Sequence, residues 1–306
     1  MILRYILRRL AFLPLTLLLV ALATFVVLRL TGNPVDIFLD INRTPEQVEA
    51  LTKRLHLDLP IPAQFLIFLR DLLHGDFGES LQFSGSAADV VWQRAGATLQ
   101  LAGTALSLAV VLGVSGGIVC AVWRDRAVDT IISSIAVAGQ SMPSFWLGML
   151  LIEFFALQMR WLPTSGYGEL RHLVLPASTL ATILLPNFVL ITRTSILELM
   201  SEQFVVTGRS KGLSRVRVLI THILPNAINP VLSFLGIQIG TLMAGSIITE
   251  TIYAWPGVGR LLIGSIFKRD VPVVEAAVFF IATTIALSNL AVDVLQMLID
   301  PRIRRS

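Results

Sequence analysis

Thr207-Gly208-Arg209-Ser210-Lys211-Gly212-Leu213 is a short basic stretch between two long apolar runs. A second stretch, His222-Ile223-Leu224-Pro225-Asn226, begins ten residues after Gly212. Two glycines and a downstream proline favour a backbone that turns sharply, which is unusual in a chain of membrane helices. The pattern therefore predicts a loop in the aqueous phase that connects two membrane spans.

The composition of the whole chain indicates an integral membrane protein. Of its 306 residues, 55% are hydrophobic and 14% are charged, whereas soluble domains average about 25% charged residues. The formal net charge is +4, but the arginines cluster at the edges of apolar segments. Membrane topology explains that distribution better than nucleic-acid binding does. The single cysteine, Cys120, excludes an internal disulfide and a multi-cysteine metal site.

Six apolar segments are long enough to cross a bilayer as helices, which takes about 20 residues each. They lie at about 10–30, 98–123, 130–157, 175–191, 228–248 and 273–299. Six spans return both termini to one side, and the basic N-terminus, central loop and C-terminal tail place that side in the cytoplasm. Arg260, Lys268 and Arg269 argue against this topology, because they fall in a loop predicted to lie outside.

These spans divide the chain into four parts. We predict an N-terminal transmembrane helix, an extracytoplasmic subdomain, a five-helix core and a cytoplasmic tail, at 1–30, 31–96, 97–300 and 301–306. A cytoplasmic loop over 193–228 interrupts the core. In the subdomain, Thr44-Pro45-Glu46-Gln47 is typical of a helix start, and 61–73 predicts a second helix. The subdomain either docks a binding protein or covers the outer mouth of the bundle.

The third span contains the stretch Ser141-Met142-Pro143-Ser144-Phe145-Trp146. Pro143 removes a backbone hydrogen bond, so the stretch predicts a kinked or broken helix. Such a break is tolerated within a membrane where it lines a cavity or packs against protein. Ser141 and Pro143 are therefore candidates for a translocation path, and simple kinking is the alternative interpretation.

The fifth span offers a third candidate for the path. Gln238 is a polar residue deep in the membrane, so it must find a partner or face an aqueous cavity. Gly236 and Gly240 flank it as a Gly-x-x-x-Gly pair, which is typical of close helix contacts in lipid. Burial against a second subunit would cover these three residues.

The sequence has few residues that could couple transport to ATP hydrolysis or to an ion gradient within the chain itself. It has no Gly-rich loop ending in Gly-Lys-Ser/Thr, the loop that holds ATP phosphates, so hydrolysis by that route is excluded. Glu153, Asn289 and Asp293 are the few candidates for an ion relay. A structural polar contact, or pairing with a basic residue such as Arg193, is the alternative. An ion-coupled secondary transporter and an intramembrane enzyme stay open as other classes, which ATP-independent uptake or turnover by the purified chain would reveal.

Several short motifs occur in an order that resembles that of permease subunits of binding-protein-dependent ABC importers, in the dipeptide/oligopeptide/nickel branch. They are the basic start 4–9, 75–80, 141–145, 161–163, the central loop with its Leu224-Pro225 pair, 255–259 and the tail 300–304. The acidic residue usual in the family's coupling loop is missing, since that position holds Val206. The resemblance implies an all-α type I ABC importer fold with one extra N-terminal helix, in the bacterial cytoplasmic membrane.

The resemblance also implies roles for individual residues. Those that would contact the ATPase are Thr207, Gly208, Arg209, Lys211, Gly212, Leu213, Leu224 and Pro225. Those of an outer loop directed toward the binding protein are Glu250, Trp255, Pro256, Gly257 and Gly259. We further predict that 207–224 forms one short helix across the membrane surface.

Partners and substrate come from the resemblance alone. It implies a heterodimer with a second homologous permease subunit, two cytoplasmic ABC ATPase subunits and an extracytoplasmic solute-binding protein. It implies no cofactor and no enzymatic activity for this chain, because the separate ATPase subunits hydrolyse ATP. Small peptides are the expected substrates, with nickel or metal chelates and glutathione-like molecules as alternatives.

Overall fold

The computed structural model describes residues 2–30, the single positions 46, 49, 52 and 53, and residues 57–299; for 2–10 and 297–299 it describes the backbone alone. Across these residues the regular structure is helical, apart from one isolated β-bridge between Glu79 and Ser86. The predicted all-α class is confirmed. The predicted helix start at Thr44 lies outside the described residues, although Glu46 is helical.

The helices follow one another along the chain, and the longest connections after α2 are 74–86 and 159–169. In order they are α1 (Ile2–Leu30), α2 (Ile61–Leu73), α3 (Ala87–Val122), α4 (Ala127–Ser141), α5 (Ser144–Leu151), α6 (Leu170–Met200), α7 (Gln203–Ser210), α8 (Arg215–Val218), α9 (Leu224–Ile252), α10 (Val258–Phe267) and α11 (Val271–Ile299). Two π-helical segments, Ile152–Gln158 and Leu219–Ile223, extend α5 and join α8 to α9.

Five segments of the described chain are long and apolar enough to cross a membrane. They are Ala11–Leu30, Ala87–Val122, Leu170–Met200, Arg215–Ile252 and Val271–Gln296. α4 and α5, with its π-helical extension, form a sixth only as a pair, bent by 106° at their junction. The predicted kink at Pro143 is thus a complete break. Met142 is extended, with φ −87° and ψ 133°, as expected for a residue before proline.

α3 is longer than the sequence predicted. It begins at Ala87 rather than Thr98, because Ser86 caps it: the Ser86 Oγ accepts a hydrogen bond from the Asp89 amide at 3.1 Å. The predicted boundary between subdomain and core, after residue 96, therefore falls inside a continuous helix. At 1.5 Å per residue α3 is about 54 Å long, against about 30 Å of hydrocarbon. The helix is therefore longer than the hydrocarbon layer is thick.

α3 and α6 form the centre of the bundle, and glycines bring them together. A Cβ at Gly113 would lie 2.4 Å from the Cβ of Phe188, and one at Gly117 would lie 2.6 Å from the carbonyl oxygen of Val189. Phe188 is fully buried in the main apolar cluster, which α9 and Trp255 complete. This close contact makes α3 and α6 the frame that positions both ends of the bundle.

The glycine pair on α9 packs within the chain and not against a second subunit, so the sequence prediction is wrong here. A Cβ at Gly236 would lie 3.2 Å from Val292 of α11, and one at Gly240 would lie 3.9 Å from Ile285. Gln238 is also buried, at 5% exposure. The two glycines let α11 of the same chain pack closely against α9. The prediction had assigned this contact to a second subunit.

Candidate functional site

The basic loop forms α7 at one end of the bundle, which we call the α7 end. Val205 on α7 is buried against Ile196 of α6 and Val218 of α8 in one apolar cluster. Gly208 is buried as well, and a Cβ there would lie 3.5 Å from a methyl group of Val218. One face of α7 is therefore anchored to the bundle.

A turn separates α7 from α8, so the single helix predicted over 207–224 is wrong. Gly212 has φ +82°, a left-handed conformation that favours glycine. Ser214 then caps α8, with its Oγ accepting a hydrogen bond from the Arg217 amide at 3.4 Å. The glycine ends one helix and the serine starts the next, as their conformational preferences require.

The opposite face of this region is exposed, and it is both apolar and basic. We call it the α7 surface; it consists of Phe204, Val206, Arg209, Lys211, Val216 and Ile220. Val206 and Val216 are 60% and 65% exposed. Among the other predicted ATPase contacts, three are also exposed, namely Thr207, Gly212 and Pro225. Two more are half-buried, Leu213 and Leu224. An exposed apolar patch rimmed by cations marks a site of interaction with a protein or a membrane.

The break between α4 and α5 carries two predicted path residues. Ser141 and Pro143 are exposed, as are Phe145 and Trp146 at 49% and 43%. The Ser141 hydroxyl donates to the carbonyl oxygen of Val137 at 3.0 Å. Because Gln238 is buried inside the bundle, the structure does not bring it onto the same surface as Ser141 and Pro143.

At the opposite end, which we call the α10 end, Glu250 is fully buried. One carboxylate oxygen accepts a hydrogen bond from the Thr98 hydroxyl at 2.7 Å, and the other accepts one from the Arg260 amide at 2.9 Å. The Thr98 oxygen also accepts from the Val258 amide at 2.8 Å. Glu250 therefore joins α9, α3 and the first turn of α10, whose amides have no partner within the helix.

Trp255 and Tyr253 are buried beside Glu250. The Trp255 indole donates to the carbonyl oxygen of Ala97 at 2.8 Å. The Tyr253 hydroxyl donates to the carbonyl oxygen of Gly148 at 3.1 Å and lies 2.9 Å from the Thr179 hydroxyl. Burial raises the pKa of Tyr253 to about 12, so the phenol keeps the proton that it donates.

Most residues of the 250–259 loop, which we predicted to be directed toward the binding protein, pack into the α10 end of the bundle. Glu250, Trp255, Gly257 and Gly259 are buried, and Pro256 is half-buried. A Cβ at Gly257 would lie 2.3 Å from the Glu250 carboxyl carbon, and one at Gly259 would lie 2.7 Å from the Cα of Ile247. The loop packs inward because the glycines let its backbone close over the carboxylate.

Two buried acids escaped the sequence analysis, and the first is Asp129 at the α7 end. Its carboxylate accepts two hydrogen bonds from the Arg193 guanidinium, both at 2.7 Å, and one from the Asp125 amide at 3.1 Å. Asp129 is 5% exposed. The sequence had offered Arg193 as a partner for Asp293, and that expectation is wrong because Arg193 pairs with Asp129. The pair ties α4 to α6, two turns before α6 leads into α7.

The second buried acid is Asp270, just before α11. Its carboxylate accepts hydrogen bonds from the Ser80 hydroxyl at 2.6 Å and from the Leu81 and Gln82 amides at 3.2 Å each. These contacts hold the motif 75–80 against the α10 end. No local pattern could have revealed a contact between segments 190 residues apart. Among the described residues, no three His, Cys, Asp or Glu side chains are grouped as metal ligands.

The chain is similar to known proteins over nearly its whole length. A family described as "Binding-protein-dependent transport system inner membrane component" matches residues 113–305, and its N-terminal counterpart matches residues 2–94. The glutathione transport system permease proteins GsiC of Escherichia coli (strain K12) and Shigella dysenteriae serotype 1 (strain Sd197) are each 38% identical over 303 residues, 99% of both chains. An inward-facing MetNI methionine ABC transporter structure superimposes with a TM-score of 0.60 at 17% identity, over 69% of this chain and 96% of that chain.

Proposed function

The chain belongs to the family of binding-protein-dependent transport system inner membrane components, and we propose that it forms half of an ATP-driven importer for a glutathione-like small peptide. It is a multi-pass permease subunit of an ABC importer, in the dipeptide/oligopeptide/nickel branch, with the type I importer fold. Its relatives are permease subunits and not enzymes. The full-length identity to glutathione permeases is the observation that carries the proposed substrate.

The α7 surface is the proposed contact with a separate cytoplasmic ATPase. An isolated helix as short as α7 is marginal in water, so its anchored face stabilises it and leaves the other face for a partner. The exposed Val206 and Val216 favour a groove with apolar walls, and the cations Arg209 and Lys211 favour acidic residues at its rim. The chain itself then needs no ATP-binding loop.

This assignment sets the orientation. The α7 end lies in the cytoplasm together with both termini, and the α10 end faces the solute-binding protein. The packed loop 253–257 would support that outer surface. We propose that a second, homologous permease completes the path, and that the exposed break at Ser141 and Pro143 faces either the path or that partner.

Reconstitution tests the proposal. In proteoliposomes containing this chain, the second permease and both ATPases, the binding protein and ATP are expected to drive uptake of radiolabelled glutathione. Vesicles lacking the ATPases are the control and should show none. Uptake through this chain alone, driven by an ion gradient, would contradict the importer assignment. Uptake of a dipeptide in place of glutathione would contradict the substrate alone.

Replacing Gly212 with alanine is expected to lower ATP-dependent uptake several-fold while the subunit stays folded. No atom lies within 4 Å of the added Cβ, so the effect comes from the backbone: a left-handed alanine costs about 1–2 kcal/mol and would shift the turn. Gly103→Ala is the control, because Gly103 lies on α3, away from the predicted ATPase contacts, and no atom is within 4 Å of the Cβ that alanine would add. Equal uptake by both variants would show that the turn does not position the ATPase contact.

A further inference from the structure

Two cations at the α10 end share one aromatic ring. The Arg94 guanidinium carbon lies 4.9 Å from the centre of the Phe83 ring, and the Lys268 ammonium lies 5.8 Å from it. Arg94 is in the second turn of α3, and Lys268 follows the last residue of α10. Arg269 comes next and is exposed. Like charges gathered in this way repel one another unless an anion lies among them.

Within the described part of the chain, no ion pair joins Arg94, Lys268 or Arg269 to a carboxylate. Asp270 is close in sequence, but it is fully buried and its oxygens accept hydrogen bonds from residues 80–82. Arg94 donates one hydrogen bond, to the carbonyl oxygen of Val90. The cluster therefore has unused capacity for an anion.

The position of the cluster along α3 and α10 fits the headgroup layer of a bilayer. Arg94 precedes Leu101, where the long apolar part of α3 begins, by seven residues, or about 10 Å of helix. Ile266 and Phe267, directly before Lys268, are 48% and 84% exposed. Exposed apolar side chains next to cations are typical of the membrane interface.

We propose that Arg94, Lys268 and Arg269 bind the phosphate of an anionic phospholipid headgroup, with its acyl chains against Ile266 and Phe267. An acidic protein surface would also satisfy the charges, but the exposed Ile266 and Phe267 directly beside the cations favour an occupant that carries its own apolar part, as a phospholipid does. Leu28 of α1 packs against the same apolar cluster as Phe83, and only 11% of the apolar window of α1 is buried, which fits contact with lipid. The proposal explains why cations occur at this end, against the usual topology.

Titration of lipids onto the purified full-length chain in detergent, read by native mass spectrometry, tests the proposal. The wild-type chain is expected to bind phosphatidylglycerol more tightly than phosphatidylcholine. The double variant Arg94→Gln/Lys268→Gln should bind phosphatidylglycerol about thirtyfold more weakly. Arg70→Gln/Arg171→Gln removes two other cations from described, exposed positions and should leave binding unchanged. Melting temperatures of both variants verify that they are folded.

Three results would overturn the proposal. Equal phosphatidylglycerol affinity for the cluster variant and its control would show that the cluster holds no lipid. Displacement of phosphatidylglycerol by millimolar inorganic phosphate would assign the site to a free anion. Weaker capture of the solute-binding protein by the cluster variant, with lipid preference intact, would assign the surface to that protein. The two lipid measurements require neither ATP nor uptake nor a partner, so they are independent of the proposed transport function.

Discussion

Replacing Gly257 with alanine is expected to destabilise the protein by about 3 kcal/mol or more. The added Cβ would lie 2.3 Å from both the carboxyl carbon and one oxygen of Glu250. The buried carboxylate must then move, and it loses hydrogen bonds from the Thr98 hydroxyl and the Arg260 amide. In a dry environment the unpaired carboxylate has no water to replace them. Chemical denaturation of the purified chain in detergent measures the loss.

Gly264→Ala is the matched control for this variant. Gly264 lies on α10, as Gly257 lies at its start, and no atom is within 4 Å of the Cβ that alanine would add. Alanine is favoured over glycine in a helix interior, so this variant is expected to be slightly more stable, by about 0.5–1 kcal/mol. The two Gly→Ala substitutions are therefore expected to change the free energy of unfolding in opposite directions. Equal stability of the two variants would contradict the close packing of the loop on Glu250.

The second large effect is expected at Asp129. The Asp129→Asn substitution keeps the shape of the side chain but leaves the Arg193 guanidinium, whose side chain is 26% exposed, without its counter-charge. Removing one partner of a largely buried ion pair costs about 3–5 kcal/mol, and Asn retains part of the hydrogen bonding, so a loss of about 3 kcal/mol is expected. Denaturation in detergent measures it.

Asp125→Asn is the control for Asp129→Asn. Asp125 pairs with Arg124 at 3.2 Å, but both side chains are exposed, at 78% and 61%, so the loss should stay below about 1 kcal/mol. Asparagine also tolerates the positive φ of 61° at this position. In the double variant Asp129→Asn/Arg193→Gln, the loss should be clearly smaller than the sum of the two single losses. Additive losses would show that the two residues do not stabilise one another.

The sequence predicted the all-α fold class and five of the six spans from local properties, and the sixth is the bent pair of α4 and α5. Apolar runs of about 20 residues specify helices that cross a membrane, whatever surrounds them. Pro143 broke the third span as expected, because proline removes a hydrogen bond within its own helix. The sharp turn in the basic loop, at Gly212, also followed from residue type, since glycine favours a positive φ.

The tertiary structure decided which residues face one another. The Glu250 carboxylate binds Thr98, 152 residues away, and Arg193 pairs with Asp129, 64 residues away. Hydropathy and helical period describe a residue's own helix and its neighbours within about a turn, and they say nothing about which distant helix packs against it. The inward packing of the 250–259 loop was therefore not predicted, and Gly236 was assigned to a partner subunit. Contact between helices depends on glycines and buried polar pairs, whose partners become apparent only when the bundle is assembled.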